Sequence, residues 1–400
     1  MTMTEDRKII RNVLFLMNNY HVGLKDCIDI SAPWYTQGYV IFRYNIISEI
    51  STILPLKSLE PYRKSELMDL RNKPQNLTIF PTGLFYLPTD NQYKKLGALF
   101  YRAARKKIMK NKLDFDIVHS HFLWPQGYAG ARFKEEYGVP FVVTAHGYDI
   151  YSLPFKDEEW KKKIEDVLNT ADHIITVSQS NLSCIKKLNT SSPVTVIPNG
   201  FRSDHFFPRD TSACRKMLNL PQDKKIILTV GIFEAVKGHK YLIEAMHAII
   251  SERKDVLCVI VGGGGLRTAL ERQVHALGLE DNVRLVDKKH HDEIPFWMNA
   301  CDLFVLPSLN EGNPIVMFEA LGCGKPFIGT KVGGVPEVIS SDKYGLLVRP
   351  GDPGELAEKI LMALDREWNR EEILTYADQF TWENIVKEIM RVYTMVSGNN

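Results

Sequence analysis

The chain has 400 residues, of which 44% are hydrophobic and 24% are charged, the proportions of an ordinary globular protein. Its 50 Lys and Arg residues nearly balance its 48 Asp and Glu residues, so the net charge of +2 gives no overall attraction to nucleic acid. A chain of this length exceeds one comfortable hydrophobic core, which predicts two domains of about 200 residues each.

The six cysteines predict a reducing compartment and no zinc site. They are scattered without a CxxC pair, and several lie in apolar runs where Cys acts as a small hydrophobe. The N-terminus lacks the apolar core of a signal peptide, and no apolar run approaches the roughly 18 residues that span a membrane. We therefore expect a cytoplasmic protein.

In the first half, short apolar runs that predict buried strands alternate with helical patterns. The predicted strands are 12–17, 77–80, 116–122, 140–146, 173–178 and 194–200. The predicted helices lie near 45–52, at 93–112, up to about 137, and at 158–170. The alternation of strands and helices is typical of right-handed βαβ crossovers and predicts a parallel sheet. The residues after the first strand, 18–40, look like a loop.

The helix at 93–112 is amphipathic and strongly basic. Its apolar positions include Leu96, Phe100 and Ile108, and basic residues such as Arg102 and Lys106 stand between them. Two interpretations remain open. The helix packs on the sheet with a solvated basic face, or it contacts an anionic membrane surface.

A polar stretch punctuated by Pro208 and Pro221 follows, and we place a domain boundary there. A second strand and helix alternation then runs to an amphipathic helix that starts near Thr381. The predicted domains are 1–206, 207–380 and a terminal helix at 381–400. Two doubly wound parallel-sheet domains in tandem predict a binding cleft between them, at the carboxyl ends of their strands.

Two carboxylates stand near the start of one helix in the second half. An apolar strand ends at Ser308, and helical spacing from Asn313 to Leu321 puts Glu311 ahead of the helix and Glu319 about two turns inside it. Carboxylates there can accept hydrogen bonds from the hydroxyls of a ribose or a pyranose. The alternative is that Glu311 caps the helix and Glu319 is solvated.

Three glycine-bearing helix starts surround this pair and suit a phosphate ligand. Lys237 stands at a strand-to-helix transition, where a bound anion explains a cation that opposes the helix dipole. The other two contain glycines that allow close backbone approach: Gly262, Gly263 and Gly264, then Gly333 and Gly334 before Val335. Arg267 takes the third glycine position of a GxGxxG. Together these features indicate a nucleotide-diphosphate site.

Three histidines of the first half are candidate site residues. His119 and His121 lie on one side of a strand, and no third metal ligand is evident, so they line a core or a cleft. His146 ends the next apolar strand and is followed closely by Asp149. The imidazole either positions a sugar hydroxyl or an acceptor, or is a buried loop histidine.

The ordered motifs VGIFEAVKGH, IVGGGG, HDEIPFWMNACDLFVLPSLNEGNPIVMFEALGCGKP and KVGGVPEVI, preceded by DIVHSHF, TAHGYD and IPNG, resemble the retaining glycosyltransferases of family 4. The resemblance covers about 116–392. It implies the α/β GT-B fold, with two Rossmann-like doubly wound domains facing across a cleft. The terminal helix would cross back to the first domain.

The resemblance also implies residue roles. Lys237 would contact the donor diphosphate, Glu311 the transferred sugar and Glu319 the ribose, with His146 beside the sugar. The segments that would face the sugar and phosphates are Gly312, Asn313, Pro314 and Ile315, and Gly333 to Val335. No metal or other cofactor is expected, because Lys237 and helix N-termini would stabilise the leaving diphosphate.

Two positions depart from the family. Ile232 stands where many relatives carry Arg or Asn, which shifts the contact with the diphosphate to Lys237 or Arg267. Only the isolated Gly23 and Gly38 are available where the family has a glycine-rich loop after the first strand. On the acceptor side the candidates are Gly23, His121 and Asp149.

The implied reaction moves a sugar from a nucleotide-diphosphate sugar to a hydroxyl with retention at the anomeric carbon. The acceptor would be a glycan or a lipid-linked molecule in cell-surface polysaccharide or glycolipid synthesis. The protein would be cytoplasmic, with peripheral contact at the inner face of the membrane through 93–112 left open. The alternatives are another GT-B enzyme, such as a nucleotide-sugar epimerase or a phosphorylase, and a catalytically silent nucleotide-sugar binder.

Overall fold

A computed structural model describes residues 10–52 and 59–398. The chain divides into two compact units, one formed by 1–198 with 382–400 and the other by 199–381. The sequence interpretation had placed these boundaries at 206 and 380. Residues 1–9, on which the expectation of no signal peptide rests, lie outside the described residues.

The described part of the first unit contains a sheet of seven parallel strands in the order β3-β2-β1-β4-β5-β6-β7. The strands are β1 (Ile10–Met17), β2 (Tyr35–Asn45), β3 (Leu77–Leu84), β4 (Ile117–His121), β5 (Phe141–Ala145), β6 (His173–Thr176) and β7 (Val194–Val196). The α-helices are α1 (Leu24–Ser31), α2 (Lys64–Leu67), α3 (Asp90–Asn111), α4 (Tyr128–Tyr137), α5 (Tyr148–Tyr151), α6 (Glu158–Thr170), α7 (Gln179–Ile185) and, from the end of the chain, α16 (Trp382–Val396). The parallel sheet predicted from the alternation is confirmed.

The central strands are buried on both faces because helices cover both sides of the sheet. All five residues of β4 and of β5 are buried. Trp124 and Trp160 pack edge to face in the core, with ring centroids 5.5 Å apart. Asp157 begins α6 by accepting a hydrogen bond from the Trp160 backbone N–H at 2.8 Å, so a helix cap fixes the position of one of these rings.

The sequence interpretation was wrong for the segment after β1. It was expected to be a loop, but it contains α1 and the long strand β2. Polar residues interrupt the apolar pattern of both elements. In α1, Lys25 is buried beside Asp29, with Nζ and Oδ2 2.6 Å apart. Strand β2 mixes polar with apolar residues. The expected helix at 45–52 is a 3-10 segment, Ile46–Thr52.

Helix α3 confirms the predicted amphipathic pattern. Leu96, Phe100 and Ile108 are buried, whereas Arg102 and Lys106 are exposed. The apolar stripe packs toward the core of the first unit, and the basic residues stand on the outer face.

The described part of the second unit contains six parallel strands in the order β10-β9-β8-β11-β12-β13. The strands are β8 (Lys225–Val230), β9 (Val256–Val261), β10 (Val283–Val286), β11 (Leu303–Leu306), β12 (Phe327–Thr330) and β13 (Gly345–Val348). The helices are α8 (Thr211–Met217), α9 (His239–Glu252), α10 (Arg267–Ala276), α11 (Ile294–Ala300), α12 (Ile315–Gly322), α13 (Val335–Val338), α14 (Pro353–Asp365) and α15 (Arg370–Ala377).

The order of strands reverses direction between β8 and β11 in this second sheet. Ligands of doubly wound sheets bind at the carboxyl ends of the strands beside such a reversal. The chain leaves β8 into the loop 231–238 and leaves β11 into the loop 307–314. These two loops contain Lys237 and Glu311, so the topology alone brings two predicted site residues to one place.

The described residues include no helix that is long and apolar enough to cross a membrane. All six cysteines are free, and five of them are buried. Their burial agrees with the interpretation of Cys as a small hydrophobe in this chain.

Candidate functional site

An ion pair joins the loops that follow β8 and β11. The Lys237 Nζ lies 2.7 Å from the Glu311 Oε1. Ser308 donates its hydroxyl hydrogen to the same carboxylate oxygen, also at 2.7 Å. Glu311 is only 8% exposed, so its carboxylate is fixed by two donors in a largely dry setting.

Backbone contacts hold these two loops together. The Leu309 N–H donates to the Val236 carbonyl at 2.7 Å. Gly238 has a φ of 65°, and a Cβ at this residue would lie 1.9 Å from the Pro307 carbonyl oxygen. Only glycine satisfies both conditions, so the sequence pair Lys237-Gly238 sets the distance between the loops.

The loop after β12 rests on the Glu311 loop. The Gly334 N–H donates to the Gly312 carbonyl at 2.8 Å. At Gly333, φ is 51°, and a Cβ would come within 1.8 Å of the Glu311 carbonyl oxygen. Val335 then begins the short helix α13. The segments predicted at 312–315 and 333–335 are therefore adjacent.

The glycines after β9 form a fourth loop beside the end of β8. The Gly262 N–H donates to the Val286 carbonyl at 3.0 Å, and the Phe233 N–H donates to the Gly263 carbonyl at 2.8 Å. Gly264 follows and leads into α10. At the start of that helix Arg267 pairs with Glu271 at 2.9 Å and with Asp287 at 2.7 Å. Ile232 is half exposed, so the departure from the family leaves an apolar side chain at the loop surface.

Glu319 also has a partner, which the sequence interpretation missed. The His291 Nε2 lies 2.7 Å from the Glu319 Oε1, and the two side chains are 14% and 6% exposed. His291 is therefore largely shielded from solvent. The ring is shielded because Phe206 packs against it, with centroids 5.2 Å apart. A histidine at the start of a 3-10 turn carries no sequence signal of this contact.

Helix α12 begins two residues later than predicted, at Ile315. Glu319 consequently lies about one turn inside the helix, not two. Asn313 and Pro314 precede the helix. The Asn313 Oδ1 accepts a hydrogen bond from the Asn199 N–H at 2.8 Å, and its carbonyl accepts from the Asn199 Nδ2 at 2.7 Å. These two hydrogen bonds thus anchor the loop before α12 to Asn199.

The first unit contains a row of three histidine rings. His119 and His121 stack with centroids 4.4 Å apart, and His121 and His146 stack at 5.3 Å. Burial lowers the pKa of His119 to about 3, and it lowers the pKa values of His121 and His146 as well. All three rings are therefore neutral at pH 7.

Asp149 has a structural part in this unit. Its two carboxylate oxygens accept hydrogen bonds from the Leu123 and Gly147 N–H groups, each at 2.8 Å, and the residue is 3% exposed. Burial raises the pKa of Asp149 to about 6. Because both oxygens bind the main chain, the residue positions the loop after His146. Its predicted place on the acceptor side stays a prediction. Gly23, with a φ of 74°, precedes α1.

Within the described ranges, no group of three or more His, Cys, Asp or Glu residues is arranged to hold a metal ion. The histidine row illustrates the reason. The ring nitrogens of His119 bind Tyr393 and Thr144 hydroxyls at 2.6 and 2.7 Å, so they do not converge on a common point.

The sequence matches two families across most of its length. The family described as Glycosyl transferases group 1 matches residues 210–380, and the family described as Glycosyltransferase Family 4 matches residues 67–205. The first match spans Lys237, Glu311 and Glu319, and the second spans the histidine row.

Curated relatives are similar over three quarters of the chain. An uncharacterized glycosyltransferase of Methanocaldococcus jannaschii is 30% identical over 311 residues, which cover 76% of this chain and 83% of the relative. The D-inositol 3-phosphate glycosyltransferase 2 of Catenulispora acidiphila is 30% identical over 322 residues, which cover 75% of each chain.

Solved structures show the same fold at lower identity. Sucrose-phosphate synthase of Thermosynechococcus elongatus has a TM-score of 0.78 and 21% identity, over 98% of this chain and 100% of the other. The HepE protein of Anabaena, solved in complex with UDP-glucose, has a TM-score of 0.73 and 21% identity, over 96% and 99%.

The contact between Gly333 and the Glu311 loop can be tested by substitution. We expect Gly333→Ala to lower the free energy of unfolding by about 2 kcal/mol or more, because the positive φ and the close carbonyl both oppose a Cβ. Gly265→Ala is the control, since a Cβ there meets no atom within 4 Å. Urea unfolding of both variants measures the difference, and equal stabilities would contradict the described packing.

Proposed function

The chain belongs to the glycosyl transferases group 1 family and is a glycosyltransferase with the α/β GT-B fold, and on that premise we propose that it moves a sugar from a nucleotide-diphosphate sugar to a hydroxyl with retention at the anomeric carbon. The observation that carries the proposal is the Lys237 and Glu311 pair at the strand reversal of the second unit. The pair places a cation next to a carboxylate. The cation suits the diphosphate of a nucleotide sugar, and the carboxylate suits the hydroxyls of the attached sugar.

The two partners serve different ends of the donor. Lys237 is 22% exposed and donates to the diphosphate oxygens, where a fixed positive charge stabilises the negative charge that develops as the sugar leaves. Glu311 accepts hydrogen bonds from hydroxyls of the transferred sugar. The ion pair holds both groups in place before the donor arrives, which limits reorganisation during the reaction.

Glu319 binds the ribose of the nucleotide in this proposal. Its carboxylate can accept hydrogen bonds from two neighbouring hydroxyls, and His291 holds one of its oxygens in a fixed position. The backbone at Gly312 to Ile315 and at Gly333 to Val335 lies against the sugar and the phosphates. The complex of HepE with UDP-glucose supports a donor of this class.

Neither glutamate acts as a nucleophile. The bond between the anomeric carbon and the phosphate oxygen breaks, and the acceptor oxygen bonds to the same face of that carbon. The leaving phosphate takes the proton of the acceptor hydroxyl, so the products are a nucleoside diphosphate and a glycoside. Electrostatic stabilisation by Lys237 and by helix amides is the main contribution of the protein.

Separate roles for the two glutamates predict separate defects. Glu319→Gln should raise the dissociation constant of the nucleoside diphosphate by about 10-fold or more, since charge-assisted bonds to the ribose are lost. Glu311→Gln should lower kcat by about 10-fold or more and leave that constant within about twofold. Calorimetry and a transfer assay measure the two quantities.

Glu358→Gln is the matched control, because this glutamate lies on α14 with 63% of its side chain exposed. It should leave both quantities at wild-type values. Unchanged kinetics and binding in both site variants would refute the assignment. The transfer assay includes donor without acceptor, since turnover of the donor alone into an epimer identifies an epimerase instead.

The basic face of α3 supports a proposal about the acceptor. A pocket of about 490 Å³ in the first unit is lined by four basic side chains and an apolar floor. Its lining residues include Lys95, Arg102 and Lys163, with Trp124 and Tyr128. Such a surface suits phosphate groups of an anionic membrane, so the acceptor is a lipid-linked or cell-surface glycan reached at the inner face.

Vesicle binding tests this contact. The double variant Arg102→Ala with Lys106→Ala should bind vesicles of phosphatidylcholine and phosphatidylglycerol about 30-fold more weakly, at about 1 kcal/mol per cation. The control, Lys216→Ala with Lys254→Ala, removes two exposed cations of the second unit and should bind like the wild type. Cosedimentation measures both. Equal weakening by the two double variants, or no binding by the wild type, would exclude a specific basic face.

A further inference from the structure

We infer that His239 is a positioning residue: its buried imidazole donates a hydrogen bond that holds the loop 231–238, and with it Lys237, in the geometry that a diphosphate needs. His239 is only 3% exposed, so it acts through the loop and does not touch the donor. The inference rests on the proposed function, because only that function places a diphosphate beside Lys237. All of the contacts that carry it lie within the second unit.

The imidazole of His239 closes the loop on itself. His239 is the first residue of α9, and its Nε2 lies 3.2 Å from the Ile232 carbonyl oxygen. A carbonyl oxygen can only accept, so the hydrogen lies on Nε2 and the ring is the donor. The Glu234 N–H donates to the same oxygen at 2.9 Å. The segment from Ile232 to His239, which includes Lys237, is therefore closed by two hydrogen bonds to one carbonyl.

The ring of His239 is neutral, and its second nitrogen is bare. Burial lowers the pKa of His239 to about 4, and the positive charge of Lys237 acts in the same direction. The Nδ1 atom is buried and has no hydrogen-bond partner among the residues that the structure describes. A neutral imidazole has one N–H, which the Ile232 carbonyl places on Nε2. This single N–H is therefore used for the loop and not for a ligand.

Phe233 extends the constraint from His239 to the glycine loop after β9. The two rings pack at an angle of 81°, with centroids 5.5 Å apart, and Phe233 is fully buried. A Cβ at Gly262 would lie 2.8 Å from the Phe233 ring, and one at Gly264 would lie 2.9 Å from the Phe233 carbonyl oxygen. The glycine loop therefore leaves no room for Phe233 to move toward it. A displaced His239 ring would disturb both loops of the candidate site.

The direction of the Ile232 carbonyl matters for an anion at Lys237. A carbonyl oxygen carries partial negative charge, and one that faced the diphosphate would repel it. Here that oxygen binds an imidazole that is 3% exposed, whereas the Ile232 side chain is 50% exposed. The donor is fixed because Leu242 and Met246 of α9 are buried in the core. His239 thus keeps the carbonyl on the inner side of the loop and leaves Lys237 to meet the phosphates.

Nucleotide binding tests this role in the full chain. UDP, ADP, GDP and their monophosphates are titrated into the wild type, and the diphosphate that binds most tightly is kept together with its monophosphate. His239→Leu removes the donor and should raise the dissociation constant of the diphosphate by about 10-fold, the worth of one buried hydrogen bond, and that of the monophosphate by less than about threefold. His239→Gln should return the diphosphate constant to within about threefold of the wild type, because the Gln amide can donate to the Ile232 carbonyl.

Two further variants of α9 separate positioning from stability. His247→Leu makes the same change at an exposed position of the helix and should bind both nucleotides like the wild type. Met246→Ala removes a buried side chain, so it should lower the melting temperature and leave the preference for the diphosphate unchanged. Wild-type diphosphate affinity in His239→Leu, no recovery in His239→Gln, or equal weakening of the two nucleotides would overturn the inference. Loss of the preference in Met246→Ala would overturn it as well.

The tautomer of His239 gives a readout that needs no nucleotide. In nitrogen-15 spectra of ring-labelled protein at neutral pH, with the His239 signals identified by their loss in His239→Gln, the hydrogen should be on Nε2. Hydrogen on Nδ1 would overturn the inference. If the wild type binds none of the nucleotides, the proposed function fails, and this spectrum alone then decides whether His239 holds the loop.

Discussion

The contact between Lys237 and Glu311 ties together two loops at the strand ends of the second unit. Each partner leaves a different strand, and the two strands flank the point where the sheet reverses its order. For the charges to meet, the main chain must pass very close at Gly238 and Pro307, and Gly333 must rest on the carbonyl of Glu311. The glycines of the motif are therefore requirements of the ion pair as well as of a ligand.

A partly buried pair of this kind has a chemical use. Removing both charges from water costs free energy, which close geometry and the additional bond from Ser308 offset in part. In the proposed function, a diphosphate would supply Lys237 with a stronger anion, and sugar hydroxyls would supply Glu311 with hydrogen-bond donors. The ion pair thus holds both side chains in the positions proposed for ligand binding before a ligand is present. Glu319 with His291 repeats the arrangement, with a histidine in place of the lysine.

Much of the fold could be predicted from the sequence, because periodic apolar runs and parallel strands follow from burial on both faces of a sheet. The exceptions have physical causes. Strand β2 and helix α1 escaped detection because α1 buries Lys25 and β2 mixes polar with apolar residues. The late start of α12 follows from Pro314, which disfavours helical backbone angles at Asn313 and is the residue before the helix.

The candidate site likewise contains residues that the sequence indicated and residues that it did not. Lys237, Glu311 and the glycine loops carried strong local signals, and the structure brings Lys237 and Glu311 into contact. His291 carried none, since its contact with Glu319 forms only when distant segments converge. Ser308 lies three residues from Glu311, and its spacing alone did not indicate their hydrogen bond. Asp149 was a candidate for the acceptor side, and no local pattern indicated that its buried carboxylate binds main-chain N–H groups. The contacts that could not be predicted are thus mainly those between segments far apart in the sequence.

The assignment of Lys237 to the diphosphate can be isolated by comparing two ligands. The nucleoside diphosphate that stabilises the protein in a thermal-shift screen, and the matching monophosphate, are titrated into the wild type, Lys237→Ala and the control Lys240→Ala, an exposed lysine of α9. We expect the wild type and the control to prefer the diphosphate by about 10-fold or more, and Lys237→Ala to bind both ligands within about threefold. An undiminished preference in Lys237→Ala would contradict the assignment.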